Sequence, residues 1–266
     1  MSLTTKLILG VSLALLIAVF GYGWHIRTVY NGYTASTDSG EALFPRETLE
    51  NYSQQILDEL TRKDVKLAIV SRAGQTRDNL PDGVMFTHSA FFRRNADGRY
   101  DVYNIYHGEE NRLRSSLVTD TPADFLRLLK ERDAGVLIPV PSVQTHLYEM
   151  LETPDYAAVH QADYSLISNP LDLRWQNCNE FMLYVVAAAI WETTDRAVLR
   201  DHLKRSITPT ELKVSPLRRH YGPMIDERLI LDDHDDKVFT TTFGTLTELF
   251  EFTNWLDESY VLEFDD

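Results

Sequence analysis

Two side chains in this 266-residue sequence could together perform nucleophilic chemistry: its single cysteine and a histidine within an apolar segment. Cys178 follows a polar loop and precedes a strongly apolar segment that predicts a helix. The partial positive charge at a helix N-terminus lowers the pKa of a thiol and favours the nucleophilic thiolate. The alternative is an inert core residue, because free cysteines are among the most buried side chains.

His88 lies in the apolar segment 84–92, where an imidazole must find a hydrogen-bond partner or stay neutral. It is either an ordinary core histidine or a general base beside the thiol. The following predicted strand offers two groups that could orient its ring, Asn104 and His107. A three-residue loop at 95–97 would place residue 88 opposite 104, whereas a two-residue turn at 97–98 would place it opposite 107.

A catalytic Cys178 would attack an amide, ester or thioester carbonyl, and His88 would take and return the proton. Backbone N–H groups at the helix start would hold the oxyanion, with Gln176 or Asn177 as a further donor. Simple capping of the helix is the alternative role for these two amides. Arg72 is a candidate for binding a substrate carboxylate, or else it forms a structural ion pair. The chemistry requires no cofactor, and none is predicted.

The elements that must position these residues alternate irregularly, which predicts an α+β fold with an antiparallel sheet and packed helices. The clearest prediction is a hairpin of 84–92 and 100–106 around the turn 95–98. Three more strands are predicted, at 65–71, 136–140 and 163–168. Helices are predicted at 49–60, from Thr121, from Ser142, at 179–192, around 198–203 and near 246–250. The polar stretch 107–116 is interpreted as a long loop.

The composition excludes several classes of function. Basic residues number 26 against 40 acidic residues, a net charge of −14, so the surface would repel a nucleic-acid backbone. One cysteine excludes an intrachain disulfide and a cysteine-based zinc or iron–sulfur site. The acidic run 232–236 contains ligand types for a hard cation, and a metal-dependent activity of Asp232 and His234 is a third hypothesis. A solvated turn is favoured, because adjacent residues of an extended chain point to opposite sides.

The N-terminal segment predicts attachment to a membrane. Residues 7–24 are uncharged and apolar, and a helix of this length just crosses a bilayer core. Lys6 orients the chain start to the cytoplasm and the remainder across the membrane. A cleaved signal peptide and a buried core helix are the alternatives. The predicted organisation is an anchor or signal segment at 1–24, a tether at 25–47 and an exported domain at 48–266.

Six short segments carry a resemblance to a known family. They are 71–74 (SRAG), 87–90 (THSA), 98–104 (GRYDVYN), 164–170 (YSLISNP), 176–180 (QNCNE) and 232–234 (DDH). Together they resemble the bacterial domain-of-unknown-function family 2145, over about residues 65–250. That family looks like a circularly permuted member of the superfamily of NlpC-type cell-wall peptidases and lecithin retinol acyltransferases.

The resemblance implies a permuted papain-like fold, with the histidine strand first, a third polar residue next and the cysteine at a later helix start. The order His88, Asn104 and Cys178 matches it. Two departures leave the reaction open: the sequence Asn-Cys-Asn replaces the Asn-Cys-Glu of the acyltransferases, and relatives often carry histidine where Asn104 stands. An asparagine can still orient an imidazole through its carbonyl oxygen.

The combined prediction is a single-pass protein of the bacterial inner membrane whose C-terminal domain lies in the periplasm. Its Cys-His site would act on an amide or ester of cell-wall peptide, lipid or lipoprotein. The alternative is a non-catalytic envelope module of the same fold that holds a peptide or an acyl chain. Nucleic acid is not an expected partner.

Overall fold

A computed structural model of the chain describes residues 42–265. Its strands are β1 (Leu67–Arg72), β2 (His88–Arg94), β3 (Tyr100–His107), β4 (Ser115–Asp120), β5 (Asp133–Pro139), β6 (Thr210–Leu212), β7 (Val238–Thr240) and β8 (Leu256–Glu263). Six of them form an antiparallel sheet in the order β4-β3-β2-β1-β5-β8, and β6 pairs with β7 separately. The predicted α+β class with an antiparallel sheet is therefore confirmed.

Helices cover both faces of the large sheet. They are α1 (Arg46–Arg62), α2 (Pro122–Phe125), α3 (Pro141–Met150), α4 (Pro154–Ala158), α5 (Cys178–Trp191), α6 (Arg196–Ser206), α7 (Pro216–Ile225) and α8 (Phe243–Phe252), with short 3-10 turns at Arg77–Asn79 and Leu126–Leu128.

Alternation along the strands creates two apolar layers. Even-numbered residues such as Ala90 and Phe92 of β2 pack in the layer that α1 covers. Phe91, between them, packs in the layer that α5 covers. This alternation follows from the period of two in a β-strand. The two faces of the sheet are therefore distinct compartments, and the face on which a side chain lies decides which helix it meets.

The two covering helices have different sequence patterns. Leu49, Tyr52, Ile56 and Leu60 are all buried on one side of α1, as their helical spacing predicts. Helix α5 is buried on every side from Cys178 to Ala189, and α6 and α8 pack around it. Such a helix needs no polar face, which explains its uninterrupted apolar sequence.

The predictions differ from the structure where contacts between residues distant in sequence determine the secondary structure. The predicted strand 163–168 is only an isolated bridge between Asp163 and Arg114. Strand β4 begins within the stretch interpreted as a loop. It was not predicted because only one of its six side chains is buried, the others being half-buried or exposed at the sheet edge. Thr121 caps α2 as predicted, but Ser142 is not a cap, since α3 already begins at Pro141.

The predicted membrane anchor and most of the predicted tether lie outside the described residues. Within residues 42–265, none of the helices is both long and apolar enough to cross a bilayer. The boundaries predicted for anchor, tether and exported domain stay predictions.

Candidate active site

Cys178 is the first residue of α5, and its side chain is almost completely buried. The side-chain oxygen of Asn177 accepts a hydrogen bond from Glu180 N and caps the helix. The Cys178 thiol is 3% exposed in relative terms and donates to the Thr87 carbonyl at 3.5 Å. Burial raises the pKa of the thiol to about 11, against the lowering effects of Arg72 and nearby backbone N–H groups. The predicted activation by the helix start alone is therefore wrong, because desolvation outweighs it.

The hairpin of β2 and β3 has neither of the two predicted registers. Phe91 pairs with Tyr103, and Asn95 N donates to Arg99 O at 2.6 Å, so the loop contains five residues. Continued, this register would place residue 88 level with 106. The β2–β3 ladder begins only at Phe91, so the two strands separate toward His88. The thiol lies beside this opening, within reach of the backbone N–H of Ser89.

Asn104 nevertheless contacts His88 diagonally across the opening. Its side-chain oxygen Oδ1 lies 3.2 Å from His88 Nε2. Its side-chain nitrogen Nδ2 donates to Asp120 Oδ2 at 3.1 Å. A carboxylate only accepts, so Asp120 fixes which end of the amide faces the imidazole. Oδ1 also only accepts, and Nε2 must therefore carry the proton of the neutral ring.

The other ring nitrogen of His88 is consequently a bare lone pair. Nδ1 is buried and has no hydrogen-bond partner among residues 42–265. Burial and the charge of Arg72 hold the pKa of His88 well below its usual range, so the ring is neutral. An unpartnered acceptor of this kind costs stability and calls for an explanation.

The Cys178 thiol contacts the backbone next to His88, but the side chains of Cys178 and His88 do not contact each other. The imidazole stacks on Tyr106 at 5.1 Å between ring centres and packs against Phe125, on the α1 face of the sheet. The thiol belongs to the layer of α5, on the other face, and touches the carbonyl of the residue before His88. The two side chains therefore lie on opposite faces of the sheet, beside the part of β2 that does not pair with β3.

Arg72 is completely buried and lies beneath this cluster. Its guanidinium carbon is 5.4 Å from the centre of the Phe125 ring, and it hydrogen-bonds the Tyr106 hydroxyl. That hydroxyl donates to Asp120 Oδ2 at 2.8 Å. Burial lowers the pKa of Arg72. These contacts are structural, and the hypothesis that Arg72 binds a substrate carboxylate stays a prediction.

Gln176 and Asn177 are occupied by the fold. Gln176 accepts from Gln161 N at 2.8 Å and donates to Val159 O at 3.3 Å. Asn177 caps α5 with its oxygen and donates to Thr240 Oγ1 at 3.1 Å with its nitrogen. The capping interpretation therefore holds for Asn177, whereas a role of either amide at an oxyanion stays a prediction.

His107 serves a different cluster from the one predicted. Arg228 Nη1 donates to its Nε2 at 2.8 Å, and Arg228 also forms a buried ion pair with Asp226. The ring packs against Tyr164, and burial together with Arg228 lowers the pKa of His107 to about 4. It therefore does not orient His88.

The acidic run 232–236 is used in structural contacts. Asp232 accepts from Trp175, and Asp233 accepts from Asn169 N at 2.8 Å. His234 donates through Nε2 to Ile167 O at 2.9 Å and accepts at Nδ1 from Phe239 N at 3.3 Å. In the described part of the chain no three histidine, cysteine or acidic side chains converge for a metal ion. The metal hypothesis has no support in this arrangement.

One cavity adjoins the thiol, and a second, larger cavity lies next to the first. The smaller, of about 40 Å³, is lined by Cys178, Asn179, Thr241, Thr87 and Tyr164, among others. The larger, of about 400 Å³, lies between the 78–82 loop, β6 and α7. Ile167 and Leu212 line both, so the two cavities share a wall.

Several residues of the cluster escaped the sequence interpretation. Tyr106 stands two residues after Asn104 on the same strand, and this spacing could have indicated a shared face. Asp120 ends a strand that was not predicted, so its contact with Asn104 had no local signal. Glu180 is fully buried at the start of α5, where it accepts from Ser168 at 2.5 Å. Burial raises its pKa well above the usual range.

Comparison with known proteins identifies one family. A family described as uncharacterized proteins conserved in bacteria, DUF2145, matches residues 59–250. No curated protein and no solved structure is significantly similar to the chain. The match includes the histidine strand, the Asn104 strand and the start of α5, and it covers well over half of the sequence. The chain belongs to the DUF2145 family of bacterial proteins.

Proposed function

We propose that the chain is a cysteine-dependent acyl-transfer enzyme, a hydrolase or transferase, whose site is Cys178, His88 and Asn104. The proposal includes a permuted papain-like arrangement and a substrate from the bacterial envelope: a cell-wall peptide, a lipid or a lipoprotein. Helix α5 with the thiol at its start, packed on an antiparallel sheet that carries the histidine, is compatible with that arrangement.

The hydrogen bonds of His88 and Asn104 are the observation that carries the proposal. Asp120 fixes the amide of Asn104, and the amide fixes the proton on Nε2 of His88. Nδ1 is then a lone pair with no partner in residues 42–265, and His88 directly follows Thr87, whose carbonyl the thiol contacts. A core histidine with a purely structural role would be expected to use both ring nitrogens. A general base needs one nitrogen free for the proton that it accepts.

The proposed reaction uses these groups in sequence. The sulfur forms a bond to the carbonyl carbon of the substrate while its proton passes to Nδ1 of His88. The same proton then moves to the departing amine or alcohol, which leaves an acyl-enzyme. Water or another acceptor releases the acyl group and restores the thiol. Nε2 of His88 keeps its proton throughout, because that N–H donates to Asn104. Backbone N–H groups at the start of α5 are available to the oxyanion.

The burial of the two groups sets a condition on this mechanism. The thiol and Nδ1 must approach each other through the opening between β2 and β3. Because burial disfavours both the thiolate and the imidazolium, proton transfer should accompany the attack rather than precede it.

A non-catalytic envelope module is the second candidate. The observation that favours it is the 3% exposure of Cys178, which is typical of an inert core cysteine. In that case the cavities beside α5 would hold a peptide or an acyl chain without covalent chemistry.

The proposed location follows from the sequence. We propose that residues 7–24 anchor the chain in the inner membrane and that the domain lies in the periplasm. A fusion of the full chain to a reporter active only in the periplasm tests this proposal, and cytoplasmic accumulation of the reporter domain contradicts it.

The enzyme proposal is tested with the purified full chain and a panel of fluorogenic acyl esters and acyl amides. Cys178→Ser and His88→Gln should each lower kcat/KM by about 100-fold or more. Asn104→Ala should cost about tenfold and shift the pH profile, since the ring loses its oriented proton. His160→Gln is the control, because that histidine is half-buried and has a lowered pKa but lies outside the cluster.

Two results would count against the enzyme proposal. One is turnover that survives Cys178→Ser. The other is that the chain turns over none of the panel compounds, while Cys178→Ser binds them as well as the unchanged chain does. This result would favour the non-catalytic module.

A further inference from the structure

Two buried polar atoms beside Cys178 have no hydrogen-bond partner. They are the side-chain oxygen Oδ1 of Asn179 and the hydroxyl Oγ1 of Thr241, and neither has one anywhere in the described residues. Asn179 is 6% and Thr241 is 2% exposed in relative terms. Both side chains line the cavity of about 40 Å³ that the thiol also lines. Leaving such atoms unpaired is costly, so their presence together indicates a ligand.

The two atoms have complementary hydrogen-bonding capacities. Asn179 donates through Nδ2 to the Thr241 carbonyl at 3.4 Å, and this contact turns Oδ1, which can only accept, away from it. The Thr241 hydroxyl can donate. The adjoining threonines are occupied: Thr240 accepts from Asn177, and Thr242 caps α8. The free acceptor is therefore on Asn179, and the free donor is on Thr241, the one threonine of 240–242 whose hydroxyl has no partner.

We propose that Asn179 and Thr241 form a subsite that recognises an amide group of the substrate and so makes Cys178 selective for amides over esters. A secondary amide supplies the N–H that Asn179 Oδ1 lacks and the carbonyl oxygen that the Thr241 hydroxyl can bind. An ester supplies only the carbonyl and would leave the asparagine oxygen unpaired. The catalytic consequence rests on the function proposed above, whereas the recognition itself does not.

The adjoining cavity fits a peptide-like substrate. Its wall includes apolar side chains together with Lys213 and Asp82, whose charged groups lie 3.9 Å apart at its edge. A peptide presents apolar and charged groups of both signs, whereas an acyl chain presents neither charge. The narrow cavity beside the thiol has room for one small polar group.

The single cysteine provides a direct test that requires no turnover. The full chain is labelled at alkaline pH with methyl methanethiosulfonate, and the rate of Cys178 modification is followed by mass spectrometry. N-methylacetamide and methyl acetate are the competing probes, because they have nearly the same shape and differ in the N–H. The amide should halve the labelling rate at a concentration about fivefold lower than the ester, the value of one net hydrogen bond.

Two nearly isosteric variants locate the effect. Asn179→Leu and Thr241→Val should each abolish the preference for the amide probe. Thr247→Val is the control, because its hydroxyl is already bonded within α8 to Phe243 O and lies outside the cavity lining. If wild-type labelling is slowed equally by the two probes, or by neither, the subsite is refuted even if a variant fails to fold.

The test of the subsite and the test of the enzyme proposal can give different results. Amide-selective protection without turnover would retain the subsite and reject catalysis. Turnover that depends on Cys178 and His88 but not on Asn179 or Thr241 would retain catalysis and reject the subsite.

Discussion

At the scale of single residues, the environment of the thiol matters more than its position in the helix. A helix N-terminus and Arg72 both favour the thiolate of Cys178. Complete burial opposes them and prevails. Within the described residues, the resting site therefore holds a neutral thiol and a neutral imidazole rather than an ion pair.

This balance predicts the pH dependence of alkylation. Because the pKa of Cys178 is raised to about 11, its thiolate fraction should grow about tenfold for each pH unit between pH 7 and pH 10. The rate of carbamidomethylation by iodoacetamide in the native full chain, followed by mass spectrometry, measures this growth. The unfolded chain in denaturant, where the thiol has its ordinary pKa, is the control. A native rate that levels off near pH 8 would contradict the prediction.

At the scale of elements, the start of α5 is held by buried polar contacts. Ser168 donates to Glu180 at 2.5 Å and accepts from Asn177 N at 2.8 Å, and Asn177 caps the helix. These contacts tie the loop before the helix to its first turn. The position of the thiol therefore depends on a loop serine and on the residue that caps the helix.

Removal of the Asn177 cap should both weaken the fold and expose the thiol. Asn177→Ala should lower the free energy of unfolding by about 2 kcal/mol, since it removes the cap and the bond to Thr240. It should also accelerate alkylation of Cys178, because the start of α5 becomes less ordered. Denaturant unfolding and alkylation rates measure the two effects.

A second capped helix provides the matched control for this prediction. Asp195 caps α6 and faces solvent. Asp195→Ala should cost about 1 kcal/mol and leave the alkylation rate unchanged. Equal alkylation rates in the two variants would mean that the cap does not control the thiol.

At the scale of the whole molecule, the sheet and its two helical layers bury several neutral histidines. Burial lowers the pKa of His107 and His160 to about 4 and that of His88 well below its usual range. Unfolded histidines bind a proton below about pH 6.5. Between these values the unfolded state binds more protons than the folded state. The contribution of these histidines to the free energy of unfolding is therefore complete above pH 6.5 and is lost as the pH falls toward 4.

The midpoint of thermal unfolding should accordingly fall between pH 7 and pH 5 at constant ionic strength. Burial also lowers the pKa of His234, which acts in the same direction, whereas it raises the pKa of Glu180 and Asp233, so two groups oppose four. His160→Gln should reduce the fall, whereas His220→Gln, at an exposed position, should not. A midpoint that is constant or rises toward pH 5 would show that these histidines are not the controlling groups.

The local patterns of the sequence determined much of the fold and one contact of the site. Helical spacing predicted α1 and its buried face, and continuous apolar sequence predicted α5 to within one residue at each end. The hairpin was predicted because its strands and turn lie close together in sequence. The contact of His88 with Asn104 was among the predicted possibilities.

Only the tertiary structure decided the properties that depend on distant partners. The five-residue loop set a register that neither predicted turn allowed, and Asp120, from an unpredicted edge strand, fixed the proton of His88. The raised pKa of Cys178 and the use of Asn177 as a cap likewise arise from packing and hydrogen bonds. Periodicity is encoded by neighbours along the chain, whereas desolvation and partner choice depend on residues that folding brings from elsewhere.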